Sequence, residues 1–182
     1  MKSDIAIIGG GLVGASLALA LQAQAKQRNW RISLIEPFPP GASYQPSYDV
    51  RASALTYGSR LIYERLGIWS AVASRCQPIT DIHVSDRGHF AATRMSAKDE
   101  NVPALGYVVE NAWLGHCLWN ALDKAHIDWH CPAQVEHIRA NEQGYQLSLQ
   151  DGRQLQTGLA ILADGGPSNL REQPGIHAQV TP

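Results

Sequence analysis

Apolar residues in this chain come in short runs set apart by glycine and polar residues, and the period of those runs changes along the sequence. Residues 4–8 (DIAII) form an isoleucine-rich run closed by glycine, which predicts a buried strand. From Leu12 onward the residues are helix formers, with Leu17 and Leu21 four apart on one face, so a helix follows. Residues 31–35 (RISLI) predict a second strand. Leu114, Leu118 and Leu122 recur every four residues and predict a helix over 111–125. Three short segments, 134–139, 145–149 and 154–157, carry strand patterns, and Asp151-Gly152 between the last two is a strong hairpin signal. They read as an antiparallel meander. Residues 159–163 (LAILA) predict another buried strand. In 79–95, Asp81, His83 and Ser85 alternate with Ile82 and Val84 before a turn at Asp86-Arg87-Gly88, which predicts a further hairpin.

The order strand, glycine corner, helix gives Gly9-x-Gly11-x-x-Gly14 a physical meaning. The first glycine permits a tight turn, and the second lets backbone approach a pyrophosphate. The third lets the helix lie close on the strand, with its N-terminal amides and dipole facing the phosphates. The second strand ends in Glu36, 22 positions after Gly14. A carboxylate there suits a ribose diol and would repel a 2′-phosphate. These features predict a bound adenosine diphosphate group, and by themselves they leave NAD and FAD both open.

Composition narrows the class. Of 182 residues, 45% are hydrophobic and 17% charged, a globular chain long enough to bury a core without disulfides or metals. The net charge of −1 gives no footprint for nucleic acid and no polybasic membrane patch. Cys76, Cys117 and Cys131 are an odd count without CxxC spacing and read as reduced thiols. No apolar run reaches the length of a transmembrane segment. The first 25 residues have the outline of a secretory signal, but Asp4 and the glycines at 9, 10, 11 and 14 argue against one. The seven histidines show no metal-ligand spacing, and Pro132 argues against a helix carrying both His126 and His130. No metal is expected, no residue offers itself as a catalytic acid or base, and the five tryptophans read as packing residues.

The last predicted strand ends in Asp164-Gly165-Gly166-Pro167-Ser168-Asn169-Leu170-Arg171, which fits DGxxSxxR. With the meander before it, this string resembles the class A flavoprotein aromatic hydroxylases, the single-component FAD monooxygenases. The resemblance implies that Asp164 and Gly165 lie beside the dinucleotide, and that Arg171 opens the following helix and steadies the loop. Gly166-Pro167 is stiffer than most members show. Asp49-Val50-Arg51-Ala52-Ser53-Ala54-Leu55 is similar to the segment in which an arginine contacts the flavin, and implies that role for Arg51. Asn111 occupies the helix start where relatives carry an Arg or Gln at the flavin ribitol; a plain N-cap is the equal alternative. Leu12 and Val135 complete the cofactor-binding set that the resemblance implies.

The strings VSDRGH, DVRASAL and LGYVVEN (105–111) resemble the bacterial ubiquinone-biosynthesis hydroxylases, the 2-octaprenyl-6-methoxyphenol hydroxylases in particular, along essentially the whole chain. The resemblance implies an α/β chain with a Rossmann-like FAD-binding fold: a parallel sheet, an antiparallel β-meander and part of a substrate-domain β-sheet. It divides the chain into residues 1–78 and 107–182, two parts of an FAD-binding domain, around a partial substrate-domain hairpin at 79–106. It also implies FAD as cofactor, NAD(P)H and O2 as co-substrates, and a prenylated phenol as substrate. The resemblance further implies a cytoplasmic setting, with the periphery of the inner membrane and other ubiquinone-biosynthesis proteins within its reach. Members are much longer and carry a GD motif absent here, so the chain reads as a truncated N-terminal portion that holds FAD weakly or not at all and does not turn over. The hairpin would then present unpaired edges for self-association. Two other classes stay open: a non-catalytic nucleotide-binding or assembly module, and a prenyl reductase or halogenase on the same fold.

Overall fold

The computed structural model describes residues 1–39, 51–88, 90, 92–166 and 170–177. In chain order the elements are β1 (Lys2–Ile8), α1 (Leu12–Arg28), β2 (Ile32–Ile35), β3 (Ala52–Thr56), α2 (Tyr57–Arg65), α3 (Trp69–Ala73), β4 (Gln77–Ile79) and β5 (Asp81–Ser85). They continue with β6 (Ala92–Ser96), β7 (Gly106–Glu110), α4 (Asn111–Ala121), β8 (Ile127–His130), β9 (Val135–Asn141), β10 (Gly144–Leu149) and β11 (Gln154–Leu162), followed by a 3-10 turn at Leu170–Glu172. The chain divides into two compact units, Met1–Ser47 with Leu118–Pro182, and Tyr48–Cys117, so the boundary falls inside α4.

The first unit holds a six-stranded sheet in the order β8-β2-β1-β11-β10-β9. The first four strands run parallel, and β10 and β9 add an antiparallel meander. Strands β1 and β2 are apolar on both faces because both faces are covered. Ile7 packs toward α1, whose Ala15, Ala18 and Leu19 are buried. On the other face Ala6, Ile8 and Ile35 join Val135, Ile138, Leu147, Leu149 and Leu155 in one core cluster.

Two segments differ from the sequence reading. The expected strands at 154–157 and 159–163 are one strand, β11, which pairs antiparallel with β10 through its first half and parallel with β1 from Gln156 to Leu162. Gly158 suits the close approach of the two strands, since a Cβ there would stand 3.1 Å from the Asp4 carbonyl oxygen. The helix expected to reach 125 ends at Ala121. Asp123 then accepts the Ala125 N–H at 2.9 Å and turns the chain into β8, which joins β2 in parallel.

In the second unit β3, β7 and β4 form an antiparallel sheet, and Thr56 caps α2 by accepting the Ser59 N–H at 3.1 Å. The predicted hairpin is present as β5 and β6, registered Asp81↔Ser96 through Ser85↔Ala92. Among the described residues these two strands pair only with each other. Asp49, Val50, His89, Pro167, Ser168, Asn169 and residues 180–182, all used in the sequence reading, lie outside the described residues. No helix among the described residues is long and apolar enough to cross a membrane.

Candidate functional site

The parallel strands of the first unit end side by side. The Glu36 N–H donates to the His130 carbonyl at 3.0 Å, the Gly9 N–H to Ile35 at 2.8 Å, and the Ala163 N–H to Ile8 at 2.7 Å. The chain therefore leaves β8, β2, β1 and β11 at one level, and a cleft of about 760 Å³ opens there, the usual place for ligands in open α/β sheets. Of the residues expected at a cofactor, Gly9, Gly11, Leu12, Glu36, Val135, Asp164 and Gly165 all line it.

The glycines are explained by what surrounds them. Gly9 has φ +102°, and a Cβ there would strike the Ala163 carbonyl, so the first glycine is needed because the end of β11 lies on it. The glycine corner and the Asp164-Gly165 corner are thus packed against each other. Gly14 does not line the cleft. A Cβ on it would run into the Gly9 carbonyl oxygen, which fixes the close approach of α1 to β1.

Glu36 is 5% exposed, and its carboxylate accepts the Gly10 N–H at 2.6 Å and the Phe38 N–H at 2.9 Å. A carboxylate has about four acceptor positions, so capacity for a diol remains. Leu12 and Val13, the first residues of α1, also line the cleft, and the positive end of the helix faces it. Among the described lining residues there is no Lys or Arg, while Glu36, Glu136 and Asp164 are acidic. A phosphate entering this cleft would therefore have to be met by backbone N–H groups and the helix end. Next to the cleft, burial, reinforced by the Glu36 charge, pushes the Cys131 thiol up and keeps it protonated. A cradle closed to Cβ atoms, backbone donors and a held carboxylate together fit an adenosine diphosphate group.

Arg51 and Asn111 belong to the second unit, where they adjoin. The Asn111 N–H donates to the Arg51 carbonyl at 2.9 Å, and Asn111 Oδ1 accepts the Ser53 hydroxyl at 2.6 Å. Arg171 is exposed in the 3-10 turn at Leu170–Glu172, where the resemblance implied the start of a helix. His126 pairs with Asp123 at 2.7 Å, and among the described residues no group of three or more His, Cys, Asp or Glu could hold a metal ion.

Two polar contacts, one behind the glycine corner and one at the cleft, escaped the sequence reading. Trp119, 5% exposed on α4, donates its indole N–H to the Gly10 carbonyl at 2.9 Å. Gln173 lines the cleft and takes the place of a further strand on the edge strand β9, accepting from the Ile138 N–H at 2.9 Å and donating to the Glu136 carbonyl at 3.0 Å. The leucine period of α4 marks its buried face, but nothing in it singles out the neighbour of Leu118 as a polar contact. No pattern at all surrounds Gln173.

Comparison with known proteins follows the same line. The 3-demethoxyubiquinol 3-hydroxylase of Escherichia coli (strain K12) is 36% identical over 180 residues, covering 96% of this chain and 44% of that protein. The ubiquinone hydroxylase UbiL of Rhodospirillum rubrum is 31% identical over 175 residues, covering 96% of this chain and 40% of its own length. The chain thus spans less than half the length of these curated relatives. The crystal structure of P. aeruginosa PqsL in complex with 2-aminobenzoylacetate superposes with a TM-score of 0.76 at 22% identity over 100% of this chain and 48% of that one, a likeness of fold. The pattern described as FAD dependent oxidoreductase matches residues 4–105, more than half of the chain and the stretch that contributes the glycine corner and Glu36 to the cleft, so the chain belongs to the FAD dependent oxidoreductase family.

Proposed function

We propose that this chain is the dinucleotide-binding portion of an FAD-dependent monooxygenase that hydroxylates a prenylated phenol in ubiquinone biosynthesis, with NAD(P)H and O2 as co-substrates. The observation that carries the reading is the shared cleft: Gly9, Gly11, Glu36, Asp164 and Gly165 come from three separated stretches of sequence and line one cavity at the strand ends. The names of the E. coli and R. rubrum relatives supply the substrate class.

In this reading Glu36 holds the ribose diol, and the amides of Gly11 and Leu12 face the pyrophosphate at the positive end of α1. Val135 borders the adenosine half, and Asp164 and Gly165 close the opposite wall. Gly14 acts indirectly, by letting α1 lie close enough to present those amides. FAD, when bound, supplies the redox chemistry, while the protein positions it and excludes water. Arg51 and Asn111 are assigned to the flavin half on resemblance, as contacts from the second unit. Residues 79–106 are assigned to the substrate side, since β5 and β6 lie outside the six-stranded sheet and pair only with each other among the described residues. The same open edges support self-association. Association with the membrane periphery and with other ubiquinone-biosynthesis proteins follows from the substrate class.

The test is flavin absorbance and oxygen uptake on the 182-residue chain beside a version extended to the length of its relatives. The extended protein is expected to carry stoichiometric FAD and to consume oxygen with NAD(P)H and a prenylated phenol, while the 182-residue chain holds FAD weakly without turnover. A colourless, inactive extended protein would overturn the reading.

A further inference from the structure

The middle residue of the glycine triplet has no part in the GxGxxG pattern, yet side chains hold both its N–H and its carbonyl. Its N–H donates to Glu36 Oε2 at 2.6 Å and its carbonyl accepts the Trp119 indole N–H at 2.9 Å. A Cβ on Gly10 would stand 2.8 Å from Trp119 Cζ2 and 2.9 Å from Glu36 Cβ. Gly10 is therefore a glycine because two side chains close on it, and both of its peptide groups have buried partners.

That grip has a directional consequence. In a trans peptide the carbonyl of one residue and the N–H of the next point in opposite directions. With the Gly10 carbonyl turned to the indole, the Gly11 N–H is turned away from Trp119. Gly11 and Leu12 line the cleft and Trp119 does not, so the indole holds this peptide from outside the cleft that Gly11 borders. We infer that Trp119 is a positioning residue for the dinucleotide site: through the Gly10 carbonyl it sets the peptide plane that presents the Gly11 N–H to a pyrophosphate. The inference rests on the proposed reading of the cleft as a dinucleotide site and adds to it the residue that pre-orders the donor. Pre-ordering matters because a peptide plane free to rotate must be fixed on binding, at a cost in affinity.

A matched control lies beside it. Trp129 packs on Trp119 with ring centroids 4.5 Å apart, and its buried Nε1 has no hydrogen-bond partner among the described residues. Trp119→Phe and Trp129→Phe thus remove the same atoms from one aromatic pair, and only the first removes a hydrogen bond.

The experiment titrates ADP into the ¹⁵N-labelled chain and follows the Gly11 amide and the indole N–H signals, with thermal melting of each variant. Wild type and Trp129→Phe are expected to bind ADP alike, and Trp119→Phe about fivefold more weakly, the worth of one net hydrogen bond. In wild type the Trp119 indole and Gly11 amide signals should shift together along one binding curve while the Trp129 indole stays put. This reading needs no variant and serves if Trp119→Phe does not fold. Equal affinity in all three proteins, equal weakening in both variants, or a Gly11 shift without a Trp119 shift would each overturn the inference. If no protein binds ADP, the dinucleotide reading itself fails and takes the inference with it.

Discussion

The strands of the six-stranded sheet and the β5–β6 hairpin carry different apolar patterns, near-continuous in the first and alternating in the second, and they fare very differently. Strand β2 (ISLI) is buried at every position, whereas β5 (DIHVS) has one half-buried residue and four exposed ones. The first is covered on both faces, by helix on one side and meander on the other. Its backbone ends are then forced into turns at one level, which is what makes a cleft. Among the described residues each strand of the hairpin has a single pairing partner, and Val84 is 56% and Met95 41% exposed. A two-stranded sheet with no cover is marginal on its own. Burial on both faces builds a site; an alternating pattern by itself builds only a surface.

Glycines put the largest expected effect on this contrast. Gly14→Ala drives a Cβ into the Gly9 carbonyl oxygen, and relieving it must separate α1 from β1; about 3 kcal/mol of stability should be lost, with dinucleotide binding. Gly88→Ala in the hairpin turn meets no atom within 4 Å and carries only the strain of φ +87°, about 1 kcal/mol. Urea denaturation of the two variants compares them, and equal losses would erase the distinction.

A smaller effect should appear with pH. Burial, aided by the Arg153 charge and opposed by Asp128 and Asp151, holds His130 below its ordinary value. The unfolded chain then takes up a proton more readily than the folded one. Stability is full above the unfolded value of about 6.5 and falls as pH drops below it toward the folded value. His130→Asn should flatten the dependence of the urea midpoint between about pH 7 and pH 5. An unchanged slope would assign the acid loss to other groups. The smallest effect belongs to the hairpin face: Val84→Ser should leave stability within about 0.5 kcal/mol of wild type, because the residue is already more than half exposed. A loss several times larger would mean that this face is covered in solution.

Much of the site was legible in the sequence because its signals are local. Gly9, Gly11 and Glu36 announce themselves by spacing, and Asp164-Gly165 by following an apolar strand. What stayed hidden depends on pairing between distant segments. That Gly9 must be glycine on account of Ala163 follows from β1 and β11 lying in register, a fact no short window holds. Trp119 and Gln173 act on backbone groups, which have no side-chain identity to leave a pattern. The short strand β8 was missed because four residues with two apolar positions give too little period to separate strand from turn.

Hydrogen exchange of the chain with and without excess FAD tests the central claim most directly, that two corners far apart in sequence hold one adenine dinucleotide. Slowed exchange is expected at residues 8–14 and 163–165 together, with the hairpin at 81–96 unchanged. Protection of one corner without the other, or of the hairpin alone, would contradict it.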